Sequence, residues 1–388
     1  MASSTPQIRA WTYTTGGYPD SLELTSIPAP SLPPPPSNNN GSHLLIRTTA
    51  AALNPVDIQL MNLPLFTPSA LPFPLSLLCN YLPPLRALAD RRKGVGADFA
   101  GEVIAAHEGS GFKVGDRVFG LAFTPASERG TLSEALLLDT NTDVVARVPH
   151  GWTDEKAASL PLVALTARTC VERCVPFVDN TNNTLVVLGG SSATGLYTTL
   201  LASSRGWRVV ATCSARNDAL VRAVGAAETI DYTAHTSSDS LRKAVAAHAP
   251  AAIVDCVGGT ALLGLPGVRR YITIVGDKTS RSAMGGAATY LWNPQMALRA
   301  LASDWIPAGW PGARSEKYAC VNLETRRDWL EEAVKVVGEE NDERVVVDSV
   351  FGFEDVKGAY ERLDSGRCRG KVVVRISGAA TKTTTTTS

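Results

Sequence analysis

The stretch 185–212, LVVLGGSSATGLYTTLLASSRGWRVVAT, constrains this chain more than any other. Leu185, Val186, Val187 and Leu188 form a continuous apolar run, the pattern of a strand buried on both faces in a parallel sheet. Small residues follow from Gly189 to Gly195. The next residues read as a helix whose Leu196, Leu200 and Ser203 or Ser204 share one face. Gly206 stands where a left-handed cap ends a helix, and 208–212 reads as the next strand.

The turn has a chemical use. Phosphate-binding turns between strand and helix commonly read G-x-G-x-x-G. Here Gly189, Ser192 and Gly195 keep a spacing of three, with Gly190 beside the first glycine. A tight turn lets backbone approach a pyrophosphate and aims the N–H groups of a helix start at negative charge. Serine meets that demand, and the hydroxyls of Ser191, Ser192 and Thr194 can donate to phosphate. A plain strand–turn–helix without ligand is the alternative that this stretch alone leaves open.

Strand-like runs recur at 229–232, 253–257 and 271–275 with helical stretches between them, which predicts a doubly wound parallel sheet. A chain of 388 residues is too long for one compact core, so two domains are expected. The hairpin-like 8–27, turning at Gly16 and Gly17, and the turn-rich 94–147 predict an all-β unit before the parallel sheet. A strand is expected over 43–52, then a helix from Pro55 through Met61. Asn54 can cap that helix, and Asp57 adds negative charge to its first turn. The proline and asparagine tract 27–41 reads as a surface loop, and the proline-rich apolar 62–93 as an insertion. Residues 153–174 read as helical, broken at Pro161, with a second helix from Leu165. A last sheet strand is expected over 318–322 and a helix over 323–337. Over 344–377 the pattern is strand, helix with Asp355 near its start, and a final strand at 371–376. The threonine-rich 381–388 reads as a disordered tail. Trp292, Trp305 and Trp310 fit either packing at a domain interface or a wall of a substrate pocket.

Composition narrows the function. Lys plus Arg equals Asp plus Glu at 37 each, so no net field favours nucleic acid or an anionic membrane. The apolar 71–89 is too broken by proline to span a bilayer. Seven scattered cysteines suit reduced thiols and a cytoplasmic protein. Cys170 and Cys174 share a helix face and read as buried small hydrophobes; Cys79 stands alone. His43 reads as a strand-start surface residue, and His107 and His150 as solvated loop residues. His235 and His248 have no evident catalytic partner. No metal site is expected.

Together the pieces resemble the medium-chain dehydrogenase/reductase superfamily, in its zinc-independent quinone oxidoreductase and enoyl reductase branch. Asn54-Pro55-Val56-Asp57 is similar to that branch's NPxD, and 96–103, GADFAGEV, to its GxDxxGxV. KVGDRV at 113–118 is similar to its KxGDRV. Leu160-Pro161 with Leu165-Thr166-Ala167, the stretch 225–232, and RGKVVV at 369–374 match further motifs in the same order. The nearest flavour is that of fungal trans-acting enoyl reductases and of oxidoreductases related to reticulon-interacting proteins. The resemblance implies a GroES-like β-barrel domain over 1–164 and a Rossmann NADP-binding domain over 165–322. A C-terminal return to the first domain would cover 323–377, followed by a disordered tail over 378–388. It places Asn54, Pro55, Val56, Asp57 and Thr166 beside a nicotinamide. Gly189, Ser191, Ser192, Ala193, Thr194 and Gly195 would hold the pyrophosphate. Ser214, Arg216, Asn217 and Tyr232 would surround the adenosine ribose, with Val275, Gly276, Gly370 and Lys371 closing the site.

The reading that follows is hydride transfer from NADPH, without zinc, to a C=C bond conjugated to a carbonyl or to a quinone, with a role in fungal secondary metabolism. NADPH is expected over NADH because the position that holds an acid in NAD enzymes is about Cys213, with Arg216 just beyond. Asn54, Asp57 and Thr166 are the candidates at the reacting end, as positioners. The expected partner is a small-molecule substrate, carrier-bound polyketide included, and the expected state is monomer or homodimer. A binding or trafficking protein with a vestigial cofactor site is the alternative.

Overall fold

The computed structural model describes residues 6–14, 18–35, 41–62, 90–122, 128–277, 293–305, 316–338 and 344–376. The turn at Gly16-Gly17, most of the 62–93 insertion with Cys79, the side chains of Trp292, Trp305 and Trp310, and the tail lie outside them.

The chain begins with β1 (Gln7–Tyr13) and β2 (Glu23–Pro28), an antiparallel pair. Then come β3 (His43–Ala52), α1 (Pro55–Met61), β4 (Lys93–Gly94), β5 (Asp98–Ala106), β6 (Arg117–Leu121), β7 (Ala135–Asp139) and β8 (Val144–Arg147). Two helices follow, α2 (Asp154–Ser159) and α3 (Pro161–Cys174). The second begins at Pro161, not at Leu165 as the sequence suggests. Proline at the first helical position forfeits no hydrogen bond, so it starts a helix as readily as it breaks one.

The second unit alternates strand and helix: β9 (Thr184–Leu188), α4 (Ala193–Ser204), β10 (Arg208–Cys213), α5 (Asp218–Ala223), β11 (Glu228–Asp231), α6 (Ser238–Ala246), β12 (Ala252–Asp255), β13 (Arg270–Thr273), α7 (Pro294–Trp305), β14 (Lys317–Cys320) and α8 (Arg327–Val337). Its six strands are parallel in the order β11-β10-β9-β12-β13-β14. Side chains alternate across β9. Leu185 and Val187 join the core that holds Cys170, Leu200 and Leu330. Val186 and Leu188 join the opposite one, with Val245 and Met296. That two-sided burial is why the run reads as uninterrupted apolar sequence.

The chain then returns through β15 (Val347–Gly352), α9 (Val356–Asp364) and β16 (Lys371–Arg375). β16 pairs antiparallel with β3, so a seven-stranded sheet runs β15-β16-β3-β5-β6-β8, with β7 also on β3. A three-stranded sheet, β2-β1-β4, completes the first unit. The architecture is a GroES-like β domain joined to a Rossmann-type parallel sheet.

Some local expectations need correction. His107 is buried, not solvated: its Nε2 lies 2.9 Å from the Pro33 carbonyl oxygen, beneath the proline-rich segment. α8 starts at Arg327 rather than near Leu323, and α7 occupies a stretch, 294–305, for which no element is expected from the sequence. Cys170 and Cys174 are fully buried, as their spacing suggests.

Candidate active site

Two constellations meet where the sheets adjoin. The first is the turn between β9 and α4. Gly189 has φ of +75°, open to glycine at little cost. Its N–H donates to Thr212 Oγ1 at 3.0 Å, and the Gly190 N–H to the Thr212 carbonyl at 2.8 Å, which pins the turn to the end of β10. Ser192 is the N-cap of α4, its Oγ accepting the Gly195 N–H at 3.1 Å. A Cβ on Gly195 would sit 2.2 Å from the Gly189 carbonyl oxygen, so only glycine lets the helix pack this close. An α-helix leaves its first N–H groups without intrahelical partners, and those of α4 face the crevice at the carboxyl ends of the strands.

That crevice opens where the strand order reverses, between β9 and β12, the place where open α/β sheets bind ligands. Asn217 is buried there and ties the turn to the end of β10: its Nδ2 donates to Ser191 Oγ at 3.1 Å. Its Oδ1 is buried without a hydrogen-bond partner, an acceptor left for a ligand's hydroxyl. Ser214 is half-buried, while Arg216 and Tyr232 stand exposed at the ends of β10 and β11. The residues present thus fit a dinucleotide: a pyrophosphate cradle, a buried acceptor beside it, and an exposed cation at the ribose end. Val275 and Gly276 lie on the other side of the switch point, after β13.

The second constellation is a buried polar network at the ends of β3, β5 and β16. The register creates it. Ala52 pairs with Asp98 on one side and Val373 on the other, which brings Asn54, Asp98 and Lys371 together across 273 and 317 residues of chain. Lys371 Nζ donates to Asp98 Oδ2 at 2.9 Å and to Asn54 Oδ1. Asn54 Nδ2 donates to the same Asp98 oxygen at 2.9 Å. Asp98 Oδ1 accepts the Leu162 N–H at 2.8 Å, which sets the carboxylate at the amino end of α3. Asp98 therefore has three donors, one of them a cation, and the side chains of the ion pair are 0% and 4% exposed.

Asp57 lies beside this network without a cation of its own. Its Oδ2 accepts the Asn54 N–H at 2.8 Å and the Tyr360 hydroxyl at 3.2 Å. Burial raises its pKa to about 7, against the smaller opposing pull of the Asn54 N–H and Lys371. Burial likewise raises Tyr360 well above the ordinary phenol value, with the Asp57 charge adding to it.

Of the residues singled out in the sequence, the structure joins Asn54, Asp57 and Lys371 in one network. Lys371 is buried, its ammonium group held by Asp98 and Asn54, beside Gly370 with φ of +84°. Thr166 is nearby on α3, but its hydroxyl donates to the Leu162 carbonyl at 2.7 Å. Pro55 and Val56 form the first turn of α1. Asp98 and Tyr360 belong to the network, though sequence reasoning gave neither a role. Asp98 carried a signal, the acid of GADFAGEV; Tyr360 carried none.

The family model for an alcohol dehydrogenase GroES-like domain matches residues 40–149, and that for a zinc-binding dehydrogenase domain matches 224–374. A zinc-type alcohol dehydrogenase-like protein of Schizosaccharomyces pombe is 28% identical over 84% of this chain and 85% of its own. A trans-enoyl reductase of Aspergillus terreus is 26% identical over 97% and 98%. Among solved structures, the quinone oxidoreductase of Coxiella burnetii superposes with a TM-score of 0.68, at 22% identity over 96% of this chain and 100% of that one. With its two sheets, its phosphate-type turn and these matches, the chain belongs to the medium-chain dehydrogenase/reductase superfamily of nicotinamide-dependent oxidoreductases.

Proposed function

We propose that the protein is a zinc-independent, NADPH-dependent reductase of C=C bonds conjugated to a carbonyl, or of quinones. One observation carries the reading: Asp98, the acid at the reacting end of the cleft, is saturated by Lys371, Asn54 and the Leu162 N–H. A metal could take it only by displacing a buried lysine. An acceptor whose own carbonyl spreads the developing charge needs no Lewis acid, only orientation and a few donors.

The cofactor, when bound, supplies the hydride. The chain's share is to hold the reacting faces together and exclude water. The Lys371–Asp98–Asn54 network fixes the start of α1 and the amino end of α3, and with them Asp57 and Thr166. No side chain is assigned as proton donor to the second carbon; solvent supplies that proton. NADPH is favoured because β10 ends in Cys213 rather than an acid, with Ser214 and Arg216 beyond it, while the Asp231 carboxylate at the end of neighbouring β11 is taken by Thr233; a guanidinium pairs with a 2′-phosphate through several donors. Arg216→Ala is expected to weaken NADPH binding while leaving NADH nearly unchanged; an equal loss for both would count against that assignment.

The trans-enoyl reductase from Aspergillus terreus, similar over 98% of its length, supports an enoyl substrate. The described cysteines are all free thiols, which supports a reducing compartment such as the cytoplasm. No described helix is long and apolar enough to cross a membrane. The test is a screen of enones, enoyl thioesters and quinones, with NADPH consumption as readout. Reduction of at least one class is expected. NADPH binding with no acceptor reduced would end the reductase reading, and no NADPH binding would favour a vestigial site.

A further inference from the structure

At the far side of the switch point the chain leaves β13 through a turn that is braced unusually well. Thr273 Oγ1 accepts the N–H groups of Val275 and Gly276, at 3.2 and 2.9 Å. Gly276 has φ of +80°, and its carbonyl accepts the Gly259 N–H at 3.2 Å. That bond ties the turn to its neighbour after β12, where the Val257 and Gly258 N–H groups both donate to Asp255 Oδ1 at 2.8 Å. A dinucleotide laid across a doubly wound sheet puts one half over each side of the switch point. With the phosphate turn over β9 and the exposed arginine over β10, these two turns lie under the nicotinamide half.

Both turns are held from behind by a continuous chain of side chains. Asp277 Oδ1 accepts from Arg299 Nη1 on α7 at 2.5 Å and from the Tyr318 hydroxyl on β14 at 3.4 Å. The Arg299 guanidinium lies over the Tyr318 ring, 5.0 Å from its centroid. Tyr318 stacks on Tyr271 at 5.9 Å, and the Tyr271 hydroxyl donates to Asp255 Oδ2 at 3.2 Å. The Arg299 and Asp277 side chains are only 10% and 11% exposed. Stability alone does not account for this pair. Buried ion pairs are often no more stabilising than apolar residues of the same volume. This one also leaves Arg299 Nε buried without a hydrogen-bond partner. What the pair does supply is a fixed exit for the Val275–Gly276 turn.

We propose that Arg299 is a positioning residue for the nicotinamide end of the cofactor site, acting through Asp277 on the turn after β13. This rests on the NADPH reading above. It gives α7 and the edge strand β14 a part in setting the hydride donor against the substrate, although neither reaches the phosphate turn.

The test separates the two ends of the cofactor. NADPH spans both, whereas 2′,5′-ADP occupies only the adenosine end. Arg299→Ala is expected to weaken NADPH on the order of tenfold, while 2′,5′-ADP stays within about twofold of wild type. Arg299→Lys keeps a cation within reach of Asp277 and is expected to restore NADPH binding to within about threefold. Asp277→Asn should reproduce the split, and it carries the test with Arg299→Lys if Arg299→Ala does not fold. Parallel weakening of both ligands, unchanged NADPH binding in Arg299→Ala, or a lysine variant as weak as the alanine variant would overturn the assignment. Wild-type protein that binds neither ligand would overturn the NADPH reading and the brace with it; any split failure in a wild type that binds both overturns the brace alone.

Discussion

Replacing Lys371 by Met tests the buried network most sharply. The substitution keeps most of the apolar stem and removes the ammonium group. Asp98, fully buried, would keep the Asn54 Nδ2 and Leu162 N–H donors but lose its cation. Breaking one side of a buried ion pair costs about 3–5 kcal/mol, because the remaining charge is stranded in a poor solvent. Asp98→Asn in the same chain removes that charge, so the double variant should recover at least about 2 kcal/mol of the loss. Equilibrium urea unfolding followed by tryptophan fluorescence, run on wild type, both single variants and the double variant, gives the coupling directly. A Lys371→Met loss under about 1 kcal/mol, or losses that simply add, would refute the reasoning. So would a double variant less stable than either single one.

Asp57 makes a pH-dependent prediction. Its folded-state pKa of about 7 lies above the ordinary 3.8, so its contribution to stability is fully present below pH 4 and is lost as the pH rises through 7. Within that window the wild type should lose about 1.4 kcal/mol per pH unit from this group, and Asp57→Asn should flatten the slope. Melting temperatures at pH 5 and pH 8 check it; a variant with the wild-type slope would contradict it. In the phosphate turn, Gly195→Ala drives a Cβ to 2.2 Å from the Gly189 carbonyl oxygen and should abolish NADPH binding. Gly206→Ala, at φ of +79° with open space around it, should cost only about 1 kcal/mol and leave binding intact. Fluorescence titration of the two variants separates these outcomes, and equal behaviour would argue against the turn as the cradle.

The sequence makes the scaffold legible where one local force dominates. β3 and α1 fall at their expected bounds because alternation and a proline at a helix start are local signals. The parallel sheet is legible because its inner strands are apolar on both faces. The site is legible only in part. Asn54, Asp57 and Lys371 stand out through motifs, yet their meeting depends on β3 lying between β5 and β16, a pairing that no local pattern encodes. Asn54 is the N-cap of α1, as expected, but its carboxamide is also committed to Asp98 and Lys371, which no local signal shows. Tyr360 has only the spacing of a core aromatic on α9, and its hydroxyl partner is 303 residues away. His107 shows the same limit: burial under a proline-rich segment depends on where that segment folds back.

The central claim is that hydride passes from NADPH to an electron-poor C=C bond or quinone in this crevice. The most direct measurement uses NADPH carrying deuterium at both nicotinamide C4 positions with the best enone or enoyl thioester from the screen, followed by mass spectrometry and NMR of the product. The account predicts one deuterium per turnover, located on the carbon β to the carbonyl, with the α-carbon protonated from solvent. A reduced product with no deuterium at the β-carbon, or bound NADPH that is never consumed by any enone, enoyl thioester or quinone, would contradict it.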